Sequence, residues 1–105
     1  MNDESNPQDV YRAKVNLETS RIAWKELQRF FASGAALAVS PTLDLVEVAF
    51  QISEDNREAV AGWIGAGHLG PVSDAQALAW VEADAEVWAV VVSPYVLVQG
   101  AENLQ

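Results

Sequence analysis

At 105 residues, 50% of them apolar and with four Trp, three Phe and two Tyr, the chain carries enough hydrophobic material for one folded domain and too much for a disordered one. The formal net charge of −9 makes a phosphate backbone an unfavourable partner, so no nucleic-acid binding is expected. With no cysteine, disulfides, thiolate catalysis and Cys-ligated metal clusters are excluded.

The first residues, Met1 to Asn6, are polar and acidic, unlike a secretory signal. The longest wholly apolar run, Val87 to Val92, is six residues, against the roughly 20 needed to cross a bilayer. A cytoplasmic protein with no membrane partner is the expectation. Residues 1–8 are expected to be a mostly flexible N-terminus, 9–99 a single α+β domain and 100–105 a flexible tail.

In chain order, Asn6-Pro7 offers an N-cap and a proline at the first helical position, with Asp9 favouring the positive end of the dipole. A helix is expected from Pro7. Val10, Ala13 and Leu17, then Trp24, Leu27, Phe30 and Phe31, recur at helical spacing up to Ser33-Gly34. Asn16 and Thr19-Ser20 divide these two sets, so a break is expected near residue 20, and one helix or two over 7–33 stays open. Ala35 to Val39 reads as a strand. In the following stretch Val46, Val48, Phe50 and Ile52 alternate with Glu47, Ala49 and Gln51, which fits a half-buried strand joined to the first as a hairpin across Pro41 to Asp44. A helix from Ser40-Pro41 would place Leu45, Val48, Ala49 and Ile52 on one face, so 43–52 also stays open between strand and helix.

Ser53 offers an N-cap with Glu54 and Asp55 in the first turn, and Ala59, Val60, Trp63 and Ile64 form an apolar face ending at Gly65 and Gly67. Ser73-Asp74-Ala75-Gln76 is a capping-box pattern leading a short helix through Ala77, Leu78, Trp80 and Val81. Val87 to Val92 is apolar on both alternating faces and reads as a central strand covered on both sides. Ser93-Pro94 interrupts it, and Val96 to Gln99 gives a last strand.

Charge is unevenly placed. Arg12, Lys14, Arg21, Lys25 and Arg29 face only Glu18 and Glu26 between positions 10 and 33, five bases against two acids, net +3. From 34 onward Arg57 alone faces ten acids, net −9, and the first nine residues add −3. On one continuous helix Lys14, Arg21, Lys25 and Arg29 would form a stripe, either a solvated face or a docking surface for an acidic partner or a second copy.

Other candidates carry a plainer reading beside the chemical one. Gly65-Ala66-Gly67-His68-Leu69-Gly70 matches G-x-G-x-x-G, but a helix precedes it and Pro71 follows it, so it reads as loop punctuation. His68 is the only histidine, which excludes a multi-histidine metal site within one chain. Glu82, Asp84 and Glu86 would project to one side of an extended segment and could offer oxygens to Mg²⁺ or Ca²⁺. As acids beside the Val87 to Val92 run they also read as gatekeepers against aggregation. Trp24, Trp63, Trp80 and Trp88 fall on apolar faces and read chiefly as core. Trp88, with Tyr95, is kept as an interface candidate.

Three separated segments, Asn16 to Gly34 with its Arg21-Ile-Ala-Trp-Lys-Glu-Leu27, Leu43 to Ala49, and Trp88 to Gln99, resemble a family of small bacterial proteins, domain-of-unknown-function family 2288. The likeness runs from about residue 10 to Gln99. It implies a bacterial source, one compact domain and no assigned activity, and it brings no catalytic residue or ligand with it. The family's ending is similar to Pro-Trp-Val-Leu-Val-Gln; Tyr95 stands here where Trp is expected.

The expected fold is α+β: N-terminal helices, a small antiparallel sheet of a hairpin plus C-terminal strands, and helices on one face. The uncovered second face points to another copy or a protein partner. The expected function is a non-enzymatic protein-interaction or regulatory module that self-associates, with no cofactor. The alternative is a carboxylate-based small-molecule or divalent-metal-binding protein or enzyme.

Overall fold

A computed structural model describes residues 18–101. The expectations for Pro7, Val10, Arg12, Ala13, Lys14 and Leu17, and for the ends of the chain, lie outside the described residues. The elements run β1 (Ser20–Ala23), a 3-10 turn (Trp24–Leu27), α1 (Gln28–Ala32), β2 (Ala36–Val39), α2 (Leu45–Ser53), α3 (Arg57–Gly65), β3 (Leu69–Pro71), α4 (Asp74–Glu82), β4 (Glu86–Val92) and β5 (Tyr95–Gly100). This is an α+β fold, as the composition and patterning led one to expect. No helix among the described residues is long and apolar enough to cross a membrane.

The strands form one sheet in the order β1-β4-β5-β2-β3. Its centre is the hairpin of β4 and β5, which turns at Ser93-Pro94 and runs in register from Val92 opposite Tyr95 to Val87 opposite Gly100. Gly100 therefore still belongs to the ladder, one residue past the expected end of the domain. β1 adds antiparallel to β4, and β3 antiparallel to β2. β2 lies parallel to β5, so the sheet is mixed and not antiparallel throughout.

The strand apolar on both sides is covered on both sides by the chain's own helices, which corrects the one-face expectation. On one face Val87, Ala89, Val96, Val98 and Ala36 pack with Trp24, Leu27, Ala77 and Trp80 from the 3-10 turn and α4, and Phe30 and Phe31 of α1 close around them. On the other, Val90, Val92, Leu97 and Val39 pack with Leu45, Val48 and Ala49 of α2, flanked by Val60 and Trp63 of α3. Strands of three to seven residues need little cover, so helices of five to nine residues suffice. Trp24, 1% exposed, centres the first core, 5.0 Å from the ring of Trp80 and 5.9 Å from that of Phe31. Such aromatic pairs add about 0.5–1.5 kcal/mol beyond the area they bury.

Two segments depart from the preferred reading. The expected hairpin partner of β2 is α2, a helix, and β2 pairs instead with β3 after two helices have intervened. The cause is local: the Asp44 carboxylate accepts from the amides of Val46 and Glu47, capping the helix and committing Leu45, Val48 and Ala49 to one face. The break expected near residue 20 does fall there, but it takes the form of an edge strand, because Ser20 to Ala23 find a ladder partner in Glu86 to Ala89. Ser53 does not cap α3. Its hydroxyl donates to the carbonyl of Phe50, and Asn56 is the cap, accepting from the amide of Ala59. Ser73 does cap α4 as expected, accepting from the amide of Gln76.

The four α-helices given above end in the same way. The amide of the residue after the left-handed position reaches back five residues, as Ala35 to Phe30, Asn56 to Gln51, His68 to Trp63 and Ala85 to Trp80, each at 2.8–3.0 Å. These are Schellman motifs. Gly34 and Gly67 take the left-handed position in two of them, both at φ +81°, and Asp55 and Asp84 take it in the other two.

Candidate functional site

The acidic residues at 82, 84 and 86 do not share an extended segment. Glu82 is the last residue of α4, Asp84 sits at φ +50° in the turn, and Glu86 opens β4. Glu86 is engaged by Arg21, whose Nη2 stands 3.1 Å from its Oε1. Among the described residues no group of three His, Cys, Asp or Glu side chains converges as a metal site. The alternation in sequence does not survive the helix end, because an αL residue between helix and strand redirects the chain.

The basic residues separate too. Arg21 lies on β1, Lys25 in the 3-10 turn and Arg29 on α1, so Arg21, Lys25 and Arg29 form no helical stripe. Lys14 lies outside the described residues. Arg21 sits opposite Trp88 in the β1–β4 register, its guanidinium 5.8 Å from the indole centroid. Held between the Trp88 ring and the Glu86 carboxylate, it closes the β1 edge of the sheet. The ion pair is half exposed, and such pairs contribute about 0–1 kcal/mol. The Arg29 guanidinium rests 4.9 Å from the ring of its neighbour Phe30.

Trp88 and Tyr95 project to the same sheet face but at opposite ends of the β4–β5 hairpin, Trp88 opposite Gln99 and Tyr95 opposite Val92. Four residues of strand separate their positions, about 13 Å. Trp88 packs against the α2–α3 core and its indole N–H meets no acceptor among the described residues. Tyr95 is 40% exposed. Beside Trp88 on the neighbouring strand lies Gln99, the one buried polar side chain among the described residues; its Nε2 donates to the carbonyls of Ser40 and Leu43 at 2.8 and 2.9 Å. It pins the loop that carries Asp44.

Three open hollows stand out among the described residues. One, about 420 Å³, lies beside β3 under the start of α4, with His68, Ser40, Ser73 and Gln76 among its walls and no carboxylate. The G-x-G-x-x-G run forms its rim, and its Gly67 is a helix terminator, which is the punctuation expected. The other two, about 250 Å³ each, adjoin on the opposite face and share Ile52, Val60 and Ile64. The first of these reaches Arg57 and Ala61; the second reaches Leu37, Leu69 and Tyr95. Their only carboxylate is Asp55, already 3.3 Å from Arg57. The walls of this double hollow are therefore suited to receiving apolar side chains and poorly suited to proton transfer. Tyr95, kept from the sequence as an interface candidate, is one of its walls. Val60, Ile64 and Ile52 read from sequence as core, and nothing in their spacing distinguishes a groove wall from a core face.

Among the described residues five large apolar side chains stand exposed: Ile64 at 55%, Tyr95 at 40%, Leu78 at 57%, Val81 at 47% and Val91 at 63%. Ile64 and Tyr95 belong to the double hollow. Leu78 and Val81 lie one turn apart on α4, over the other sheet face, and Val91 follows Val87 and Ala89 on that same face of β4.

Among known proteins, no curated protein matches the chain. A solved structure does: the NMR solution structure of PA1075 from Pseudomonas aeruginosa is 42% identical, with a TM-score of 0.77, over 96% of this chain and 94% of that one. The family described as Protein of unknown function (DUF2288) matches residues 10–100. With that match running through every element of the sheet and its helices, the chain belongs to the DUF2288 family.

Proposed function

We propose that the protein is a non-enzymatic protein-interaction module that self-associates. The observation that carries the reading is the exposure of Leu78, Val81 and Val91 on one face of the molecule, each about half exposed or more. The middle of α4, Ala77 to Val81, is apolar all round. Ala77 and Trp80 enter the core, and Leu78 and Val81 are left facing solvent, a pattern that calls for cover on a second side. The sequence argument, that a bare sheet face needs a second copy, is no longer available, since both faces are covered from within. The surface that supports self-association is instead the outer face of α4. Dispersed carboxylates and a single histidine support the non-enzymatic part.

Sedimentation velocity tests it. Two copies each carry −9, so a dimer is expected at micromolar concentration that strengthens as salt rises from about 0.05 to about 0.5 M, where screening shortens to a few ångströms. Leu78→Glu is expected to return it to monomer while leaving stability within about 0.5 kcal/mol, as for other surface changes. A monomer at every concentration and salt level sinks the reading.

A further inference from the structure

The double hollow over the opposite face has a direction. Arg57, Val60, Ala61 and Ile64 follow one another along α3, and the hollow continues past Ile64 to Leu37 and Tyr95. From Arg57 to Ile64 is seven residues of helix, about 10 Å. It is a trough with two apolar basins, each the size of a large side chain or two, lying alongside a helix. Its far end reaches the edge strand β3, which is only three residues long and is blunted by Pro71, which has no amide to donate.

Its charge is one-sided. At the Arg57 end, Asp55 and Glu58 stand beside one base in the chain, two acids against one, net −1. Over residues 34–101 Arg57 remains the single base against nine acids. A second copy would bring the same sign to this rim. A partner with opposite charge gains both from burying its apolar residues and from the rim, as helix-in-groove recognition does elsewhere.

We propose that this trough docks a cationic amphipathic helix of a partner protein, seating two apolar side chains at positions i and i+7 with lysines or arginines flanking them at the Asp55–Glu58 end. The inference rests on the interaction-module reading only in treating the protein as a binder, and it uses a different surface from the α4 face. Copy-to-copy contact and partner docking then respond oppositely to salt: the first strengthens, the second weakens.

The test is an amide chemical-shift titration of the full chain with a synthetic amidated peptide of about 18 residues, long enough for a helix to form on binding. The peptide is alanine-based, with leucines at i and i+7 and lysines on the flanks; its control carries glutamates for the lysines. Expected are saturable shifts at Leu37, Ala61, Ile64 and Tyr95, an affinity at least about tenfold weaker at 0.3 M than at 0.05 M salt, and no binding of the control. Ile64→Ser, at an exposed position, is expected to weaken binding about tenfold with an unchanged circular dichroism spectrum. Equal binding of both peptides overturns the charge assignment. Shifts spread over the acidic surface and indifferent to Ile64→Ser overturn the trough. Loss of self-association in Ile64→Ser assigns the trough to a second copy and overturns the proposal, while leaving the self-association reading standing. A protein that is monomeric yet binds the lysine peptide fails only that reading.

Discussion

Asp84 stands at φ +50° between α4 and β4, where its backbone closes a Schellman motif through the bond from Ala85 to the carbonyl of Trp80. That geometry gives the acid a structural reason for its place. Asp tolerates the left-handed region better than most residues, and Gly tolerates it at no steric cost. Asp84→Gly is accordingly expected to leave stability unchanged or raise it by up to about 1 kcal/mol, while Asp84→Val lowers it by about 1–2 kcal/mol, both read from urea denaturation. If the residue served a divalent ion, Asp84→Gly would instead remove a ligand. Titration of the unaltered chain with Ca²⁺ or Mg²⁺ is expected to give no saturable shift at Glu82, Asp84 and Glu86, since they issue from a helix end, a turn and a strand and Glu86 is held by Arg21. Gln99 is the opposite case, a polar residue whose position strand patterning marked only as part of β5. Its amide satisfies two loop carbonyls from the sheet, so Gln99→Leu is expected to cost about 1–3 kcal/mol for the acceptors left behind.

At the scale of elements, the contest between strand and helix over 43–52 was settled by one side chain. Alternation and helical spacing were both present in Leu45 to Ile52, and periodicity in so short a window does not arbitrate. The Asp44 carboxylate, with two amides of the first turn on one oxygen, does. Asp44→Ala is expected to cost about 1 kcal/mol, in the usual range for a lost N-cap, measurable in the same denaturation experiment. The capping box at Ser73 was legible because side-chain and main-chain signals agree there. At 20–23 polar residues marked a break between two helical patterns but nothing announced a strand, whose partner lies far along the chain in β4. The expected basic stripe went with it. For α4 the absence of a polar side, visible in Ala77, Leu78, Trp80 and Val81, is what leads to the α4 contact tested by Leu78→Glu.

The whole molecule is a small mixed sheet with a helical layer on each face, and its two cores meet across β4 and β5. Trp24 is the largest fully buried side chain in the first core and packs beside two other rings. Trp24→Ala is expected to cost about 3–5 kcal/mol, a large part of the 5–15 kcal/mol typical of a domain. Thermal denaturation of the purified variant reads it, with loss of cooperative unfolding as the extreme result. Net charge acts at this scale as well. A body that repels itself is expected to melt at a higher temperature as salt is added, and a melting point that falls with salt would mean that attractive ion pairs outweigh the repulsion.

Composition and local pattern were enough to determine an α+β domain, the strand at 87–92, the turn at Ser93-Pro94, the cap at Ser73 and the family, since each depends on residues near one another in the chain. The face that each helix covers, the parallel pairing of β2 with β5, the scattering of the three carboxylates and the exposure of Ile64 were decided only by tertiary structure. An apolar residue on a helix carries the same local signal whether it meets a core or a solvent-filled groove. What lies opposite it is set by elements distant in sequence, and those come together only when both faces of the sheet are closed.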